Sequence, residues 1–454
     1  MCRDMLCWQQ WARIEGCRWQ RILVVGHAMA LQLSDSDRRM LDGFEGKAAQ
    51  RAMSILVRMA DVLDAAEMMD VSQAHIDGCG LMSDSGLEFA ETLAELGGKV
   101  CIPTTLNMVP LDLQNWERQG VPEDFARKAT RLAKAYLDMG CVPTWTCAPY
   151  QGYLAPRFGQ QIIWGESNAI VYANSVLGAR TNRYGDYVDI CGAITGRVPK
   201  VGLHLKENRK GQVLLQLVDV DSAVLHDDTF YPVLGHLLGR VAGDRIPVIE
   251  GLPAGSTSDQ LKALGAASAS SGAVGLFHAV GVTPEANTLD EAFQGDAPEE
   301  VVDVHFPDLL AAWSDLSTAE EGAKLDVLIL GCPHFSYAEF RQLAEVIGIE
   351  GKRPLHPSVR VLVLTGQASY ALAQRGGFMG ALKRFGVEIV LDTCMFHSPI
   401  ISRDAKVIMT NSGKCAYYAP GELNVRVAFG SVRDCVRSAV EGFVCREGGV
   451  WKES

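Results

Sequence analysis

No run of eighteen apolar residues occurs in the chain, so the sequence offers no segment long enough to cross a bilayer as a helix. Positive charge is also short. The 42 Lys and Arg stand against 54 Asp and Glu, a net charge of −12. That balance argues against nucleic acid or an anionic membrane surface as a partner. It still leaves room for an acidic substrate held in a local basic pocket. There is no Walker loop of the form GxxxxGK(S/T), no short-period repeat and no low-complexity tract. The 13 cysteines contain no CxxC pair, are odd in number and are scattered from Cys2 to Cys445. That pattern speaks against a secreted disulfide framework, and the cytoplasm is the expected compartment.

What is present is a chain of 454 residues, 48% hydrophobic, enough for two or three domains with packed cores. Residues 1–28 hold three Cys and three Trp, and their apolar stretch is too short and too late for a secretory signal. They read as an N-terminal extension of doubtful structure. Helical apolar spacing marks 45–68, 85–97, 122–139, 165–178 and 257–271. Ser34 or Asp35 is the expected N-cap of a helix over SDRRML. Short strands are expected toward His75, in KVCIPTTLN, in PTWTCAPY and in AVGLFHAVGVTP. The acidic stretch 286–323 is weakly patterned and reads as a linker or peripheral insert. From 322 onward, Val/Ile-rich strands alternate with helices, the pattern of a parallel sheet covered on both faces. The expected fold class is α/β, divided as 29–215, 216–321 and 322–454.

In parallel α/β layers, ligands bind at the carboxyl ends of strands. Three cysteines sit in such loops: Cys147 in TWTCAPY, Cys332 in LILGCPHFS and Cys394 in VLDTCMFHSP. Three soft thiolates suit an iron–sulfur cluster. One iron left without a cysteine is then a Lewis acid. The competing reading is three ordinary buried thiols, the commoner fate of a lone cysteine, and spacing alone leaves both open. A dense polar run, ESNAIVYANSVLGARTNRYGD, offers Ser175, Arg180 and Asn182. Its small residues would also suit close helix packing, whereas a guanidinium fork suits a carboxylate. In PTTLN, Thr104, Thr105 and Asn107 either bind a ligand or close a turn. In TNSGKCAYYAPG, the N–H groups of Asn411, Ser412 and Gly413 could hold an anion. There Lys414 is either a charge partner or a solvated surface residue. His75, His278, His334 and His397 occupy apolar or loop contexts, where a histidine is more often structural than catalytic.

Taken together, the blocks SQAHIDG, GKVCIPTTLN, PTWTCAPYQ, WGESNAIVYANSVLGARTNR, AITGRVP, LKALGAASASSGAVGLFHAVGVTPEA, LGCPHFS, LDTCMF and TNSGKCAYYAPG make the chain resemble the large part of the aconitase X family. The resemblance implies aconitase-like α/β/α domains with mostly parallel sheets around a central cluster, ligated by Cys147, Cys332 and Cys394. It implies a hydro-lyase acting on a small hydroxy acid. PTWTCAPYQ, RYGDYVDICGAITGRVP and GLHLKENRKG resemble the bacterial branch. That branch dehydrates cis-3-hydroxy-L-proline to Δ1-pyrroline-2-carboxylate. Arg180 or Asn182 is then expected on the carboxylate, with Ser175, Thr104, Thr105 and Asn107 completing the substrate contacts. The alternatives are mevalonate 5-phosphate dehydration, aconitase-type isomerisation, or a non-enzymatic cluster-binding subunit with Cys415 as fourth ligand. The family also uses a small swivelling β-rich domain with a serine loop. The 28 residues before Met29 cannot supply it, and GSTS at 255–258 lies in the wrong place. Either a separate small subunit, the expected partner, completes the site or this chain is incomplete alone, and the general base is unassigned on this chain.

Overall fold

The computed structural model describes residues 31–452, so the expected extension at 1–28 lies outside the described residues. The first helix, Asp35–Leu41, starts at Ser34, whose hydroxyl accepts from the Asp37 N–H while Asp37 caps Ser34 in return. Helix Lys47–Val62 buries Ala52, Met53, Leu56 and Ala60 on one face, as its spacing predicts. It stops short of residue 68 because Asp64 turns left-handed (φ 54°) and Met68–Asp70 becomes a strand paired antiparallel with Arg197–Pro199.

Three parallel sheets carry the rest. Strand Ala74–Ile76 lies between Thr104–Leu106 and Ile163–Trp164. Strands Val213–Leu217 and Pro247–Glu250 form the middle of a four-stranded sheet. Its edges are His278–Ala279 and Glu300–Val304. The stretch 286–323 is therefore no insert. Glu300–Val304 is a sheet edge, and helix Phe306–Asp315 buries Leu309 and Ala312. Its acidic residues face solvent, which hides the pattern from a sequence reading. PTWTCAPY forms no strand; Trp145 takes a left-handed turn (φ 41°) instead.

The C-terminal sheet follows the order Val387–Leu391, Arg360–Thr365, Val327–Leu330, Val407–Thr410, Arg426–Phe429, all parallel. Chain order reverses between the strands that begin at 327 and 407, which is where an open α/β sheet leaves a crevice at its carboxyl edge. The helical pattern over 367–385 is cut into Gln367–Arg375 and Met379–Phe385 by Gly376 and Gly377, the latter at φ 81°.

Helix Ser258–Ser271 packs against helices Phe230–Ala242, Ser167–Ser175 and Gly413–Glu422, and so ties all three sheets together. Fully buried side chains such as Phe230, Phe277 and Leu264 line this junction. Each contributes about 1.5–3 kcal/mol by leaving water. Arg209 is a second tie. Its guanidinium bonds Glu285 (2.8 Å), Asn174 Oδ1 (3.1 Å) and the Leu203 carbonyl (3.0 Å), at 1% side-chain exposure. Arg209→Ala strands the Glu285 charge. It is expected to cost about 3–5 kcal/mol in urea unfolding, whereas Lys134→Ala, in an exposed pair, leaves the midpoint where it is.

Candidate active site

The carboxyl edges of the three-stranded and five-stranded sheets face each other across a cavity of about 230 Å³. A backbone bridge fixes that apposition. The Val109 N–H donates to the Asp392 carbonyl at 2.9 Å, within a parallel bridge of Val109 to Thr393. Cys332 follows strand Val327–Leu330 through Gly331, a position closed to other residues. Its φ is 93°, and a Cβ would collide with the Leu364 carbonyl. Cys394 follows strand Val387–Leu391 after Asp392 and Thr393. Cys147 arrives from the other side, in the loop after the Val142 bridge to Thr105. All three thiols line the one cavity. Ser412, the N-cap of helix Gly413–Glu422, accepts from the Cys415 N–H and donates to the Cys332 carbonyl.

Three thiols on one cavity are a soft donor set, and that donor chemistry fits an iron–sulfur group. Burial, reinforced by Glu166 for Cys147 and by Cys332 for Cys394, pushes both of these thiols up to about 12. Cys332 is raised by burial and by Cys415. A cationic metal centre supplies the charge that would make these thiolates stable. Cys415 itself is buried, its N–H donating to Ser412 Oγ at 3.0 Å.

The charged part of the cavity is a pair. Lys414 Nζ donates to Glu166 Oε1 at 2.6 Å, with both side chains largely buried. Glu166 caps helix Ser167–Ser175, accepting from the Asn168 N–H (3.3 Å) and Asn168 Nδ2 (2.6 Å), while Asn107 Nδ2 reaches its other oxygen at 3.1 Å. Burial alone would raise Glu166, but the Lys414 ammonium and Asn168 hold it well below the usual carboxylate range. Burial likewise opposes the Lys414 charge, and Glu166 together with the nearby thiols keeps it cationic. Behind Glu166 stand Asp77, Asp186 and Asp189. Burial and repulsion among neighbouring carboxylates raise all three, which favours their neutral forms.

The residues singled out in the sequence fall into two sets. Cys147, Cys332 and Cys394 come together. Asn107 touches the cavity wall through Glu166. The others bond elsewhere. Thr104 donates to the Ile102 carbonyl, Thr105 meets His75 at 2.8 Å, and Ser175 accepts from the Phe277 N–H. Asn182 accepts from the Leu203 N–H at 2.7 Å. Arg180 pairs its backbone with Gln160 and lies near His204 and Arg209. Glu166, Lys414, His334 and His397 line the cavity without having been selected. The signals for them were a carboxylate at a helix N-cap and a lysine, weighed above as a charge partner, in the first turn of the helix after a strand.

Asp189 gives a pH prediction. Burial and Asp186 lift it from 3.8 to about 7. A carboxyl raised in the fold stabilises as the neutral acid, fully below its unfolded value and no longer once the pH has risen through the folded one. Relative to Asp189→Asn, which cannot ionise, the wild-type thermal midpoint is expected to fall between about pH 4 and about pH 7 and then to level off. A gap that stays constant over that range would contradict it.

Three family models cover nearly all of the described chain: the aconitase X first domain at residues 30–207, the second domain at 211–314 and the third at 325–441. The chain is 46% identical over 418 residues to a cis-3-hydroxy-L-proline dehydratase of Hypocrea jecorina, covering 91% of this chain and 70% of that one. It is 45% identical to the enzyme of the same name from Pseudomonas aeruginosa, at 90% and 70% coverage. The phosphomevalonate dehydratase large subunit of Methanothermobacter thermautotrophicus is 37% identical, at 89% and 98%. In three dimensions the chain is similar to the holo-form crystal structure of Thermococcus kodakaraensis aconitase X. The TM-score is 0.80 at 33% identity, over 90% of this chain and all of that one.

Proposed function

Since the chain belongs to the aconitase X family, we propose that it is the cluster-bearing part of a hydro-lyase that removes water from cis-3-hydroxy-L-proline. The product is Δ1-pyrroline-2-carboxylate. The observation that carries this reading is the convergence of Cys147, Cys332 and Cys394 on a cavity that also holds the Lys414–Glu166 pair. The identity of 45–46% to cis-3-hydroxy-L-proline dehydratases, against 37% to a phosphomevalonate enzyme, supports the substrate. The ten cysteines among the described residues are all free, which supports a reducing compartment, the cytoplasm.

In this reading the three thiolates hold an iron–sulfur cluster, which when bound supplies a Lewis acid for the departing 3-hydroxyl. The protein's own residues bind and orient. Lys414 has a single hydrogen-bond partner, Glu166, so its remaining N–H donors are free for the substrate carboxylate. Glu166, fixed by Asn168 and Asn107, aims that ammonium and keeps it charged. We assign the carboxylate to Lys414 rather than to Arg180 or Asn182 because Lys414 is on the cavity wall. A base takes the Cα proton as hydroxide leaves C3, and the enamine then tautomerises to the cyclic imine. That base we place on a small swivelling domain. The hydroxyproline dehydratases exceed this chain, which spans 70% of them, and the archaeal relatives are named large subunits.

The test is an anaerobic assay of the chain, alone and with a candidate small subunit, on cis-3-hydroxy-L-proline, with pyrroline-2-carboxylate trapped by o-aminobenzaldehyde. Product that requires the small subunit and vanishes in Cys147→Ser is the expected result. Lys414→Gln, which also leaves Glu166 unpaired, is expected to lower kcat/KM per bound cluster roughly 10–100-fold or more, the scale of one charge-assisted hydrogen bond. A fully loaded cluster without product would move the assignment to mevalonate 5-phosphate.

A further inference from the structure

His334 lies two residues after Cys332, where the three cysteine loops meet. Its backbone N–H donates to Cys147 Sγ at 3.3 Å. Its Nδ1 is 3.1 Å from Thr146 Oγ1, on the residue before Cys147. Its Nε2 is 2.9 Å from the carbonyl of Thr393, the residue before Cys394. A carbonyl only accepts, so Nε2 carries the proton and Nδ1 accepts from the Thr146 hydroxyl. The ring is thus fixed in one neutral tautomer with both nitrogens bonded. The His334 carbonyl in turn faces Lys262 Nζ at 3.4 Å, and that buried ammonium is anchored by Glu339 (2.5 Å) and Asp259 (2.9 Å). One side chain therefore belongs to the first loop, bonds the neighbours of the other two thiols, and is pinned from behind.

We propose that His334 is a positioning residue that sets the spacing of the Cys147, Cys332 and Cys394 loops, and so decides whether all three thiols engage one cluster. The inference rests on the cluster reading above. Its physical basis is that sulfurs bound to different irons must be held apart at fixed separations. Here Cys147 comes from one body of the fold, and Cys332 and Cys394 from another. The Val109–Asp392 backbone bond docks the two bodies, but the imidazole is the bridge placed at the thiols themselves. Outer-shell groups of this kind typically govern metal retention by 10–100-fold.

The test uses the full chain, reconstituted anaerobically with iron and sulfide, as wild type, His334→Leu, His334→Gln and Thr146→Val. The measurements are iron and sulfide per chain, the visible and EPR spectra, the rate of iron extraction by a chelator, and the thermal midpoint of the metal-free chain. His334→Leu is expected to lose iron about 10–100-fold faster than wild type with an altered spectrum. His334→Gln, whose amide can still donate toward Thr393, falls between the two. Thr146→Val, which removes the hydroxyl that bonds Nδ1 and also accepts from the Ala148 N–H, speeds extraction as well while leaving the metal-free midpoint near wild type. Wild-type extraction rates and spectra in both His334→Leu and Thr146→Val would overturn the inference alone. If His334→Leu does not fold, Thr146→Val decides. A wild-type chain that takes up no iron and sulfide would overturn the cluster reading, and this inference with it.

Discussion

Lys414 and Glu166 come from segments 248 positions apart, and neither could be buried where it is without the other. An isolated charge in such a place costs several kcal/mol, and a buried pair tends to specify an arrangement more than it adds stability. The lysine stands in the first turn of the helix after strand Val407–Thr410, and the carboxylate caps the helix after strand Ile163–Trp164. Satisfying both requires the carboxyl edges of two different sheets to face each other at contact distance. Once they do, the loop carrying Cys147 is delivered to the loops carrying Cys332 and Cys394. The carboxyls behind Glu166 feel the same burial, which raises Asp77, with Glu166 adding to it, and raises Asp189, with Asp186 adding to it.

The two sheets differ in how much of them a sequence can announce. The five-stranded sheet is built from strands of four to six residues rich in Val, Ile and Leu that alternate with helices, and each strand lies where its apolar run predicts. The facing sheet has strands of only two or three residues. It is held mainly by turns and side-chain bonds, which leave no periodic trace. Hence helix Tyr337–Glu350 is plain from its spacing, while the left-handed turn at Trp145 replaces a strand that the same kind of reading expects.

The candidate site divides along the same line. Cysteines at strand ends are conspicuous because strand ends are where a parallel sheet can offer a ligand anything. Polar residues are harder, since Thr, Asn and Arg serve loops as readily as ligands. Asn182 and Ser175 spend their side chains on the backbone of Leu203 and Phe277, and Arg180 sits beside another cation, Arg209. What marks Glu166, Lys414 and His334 is their partners, and those partners lie in segments that no local window contains.

The placement of the thiols also bears on how the protein is made. Cys147 emerges from the ribosome long before Cys394, and a nascent chain that ends between them holds an incomplete set of sulfurs. The set is complete only after strand Val387–Leu391 has joined its sheet and that sheet has docked through Val109 and Asp392. For a cofactor held by all three thiols, as proposed above, loading would therefore test folding, because a misdocked chain would present an incomplete set of ligands.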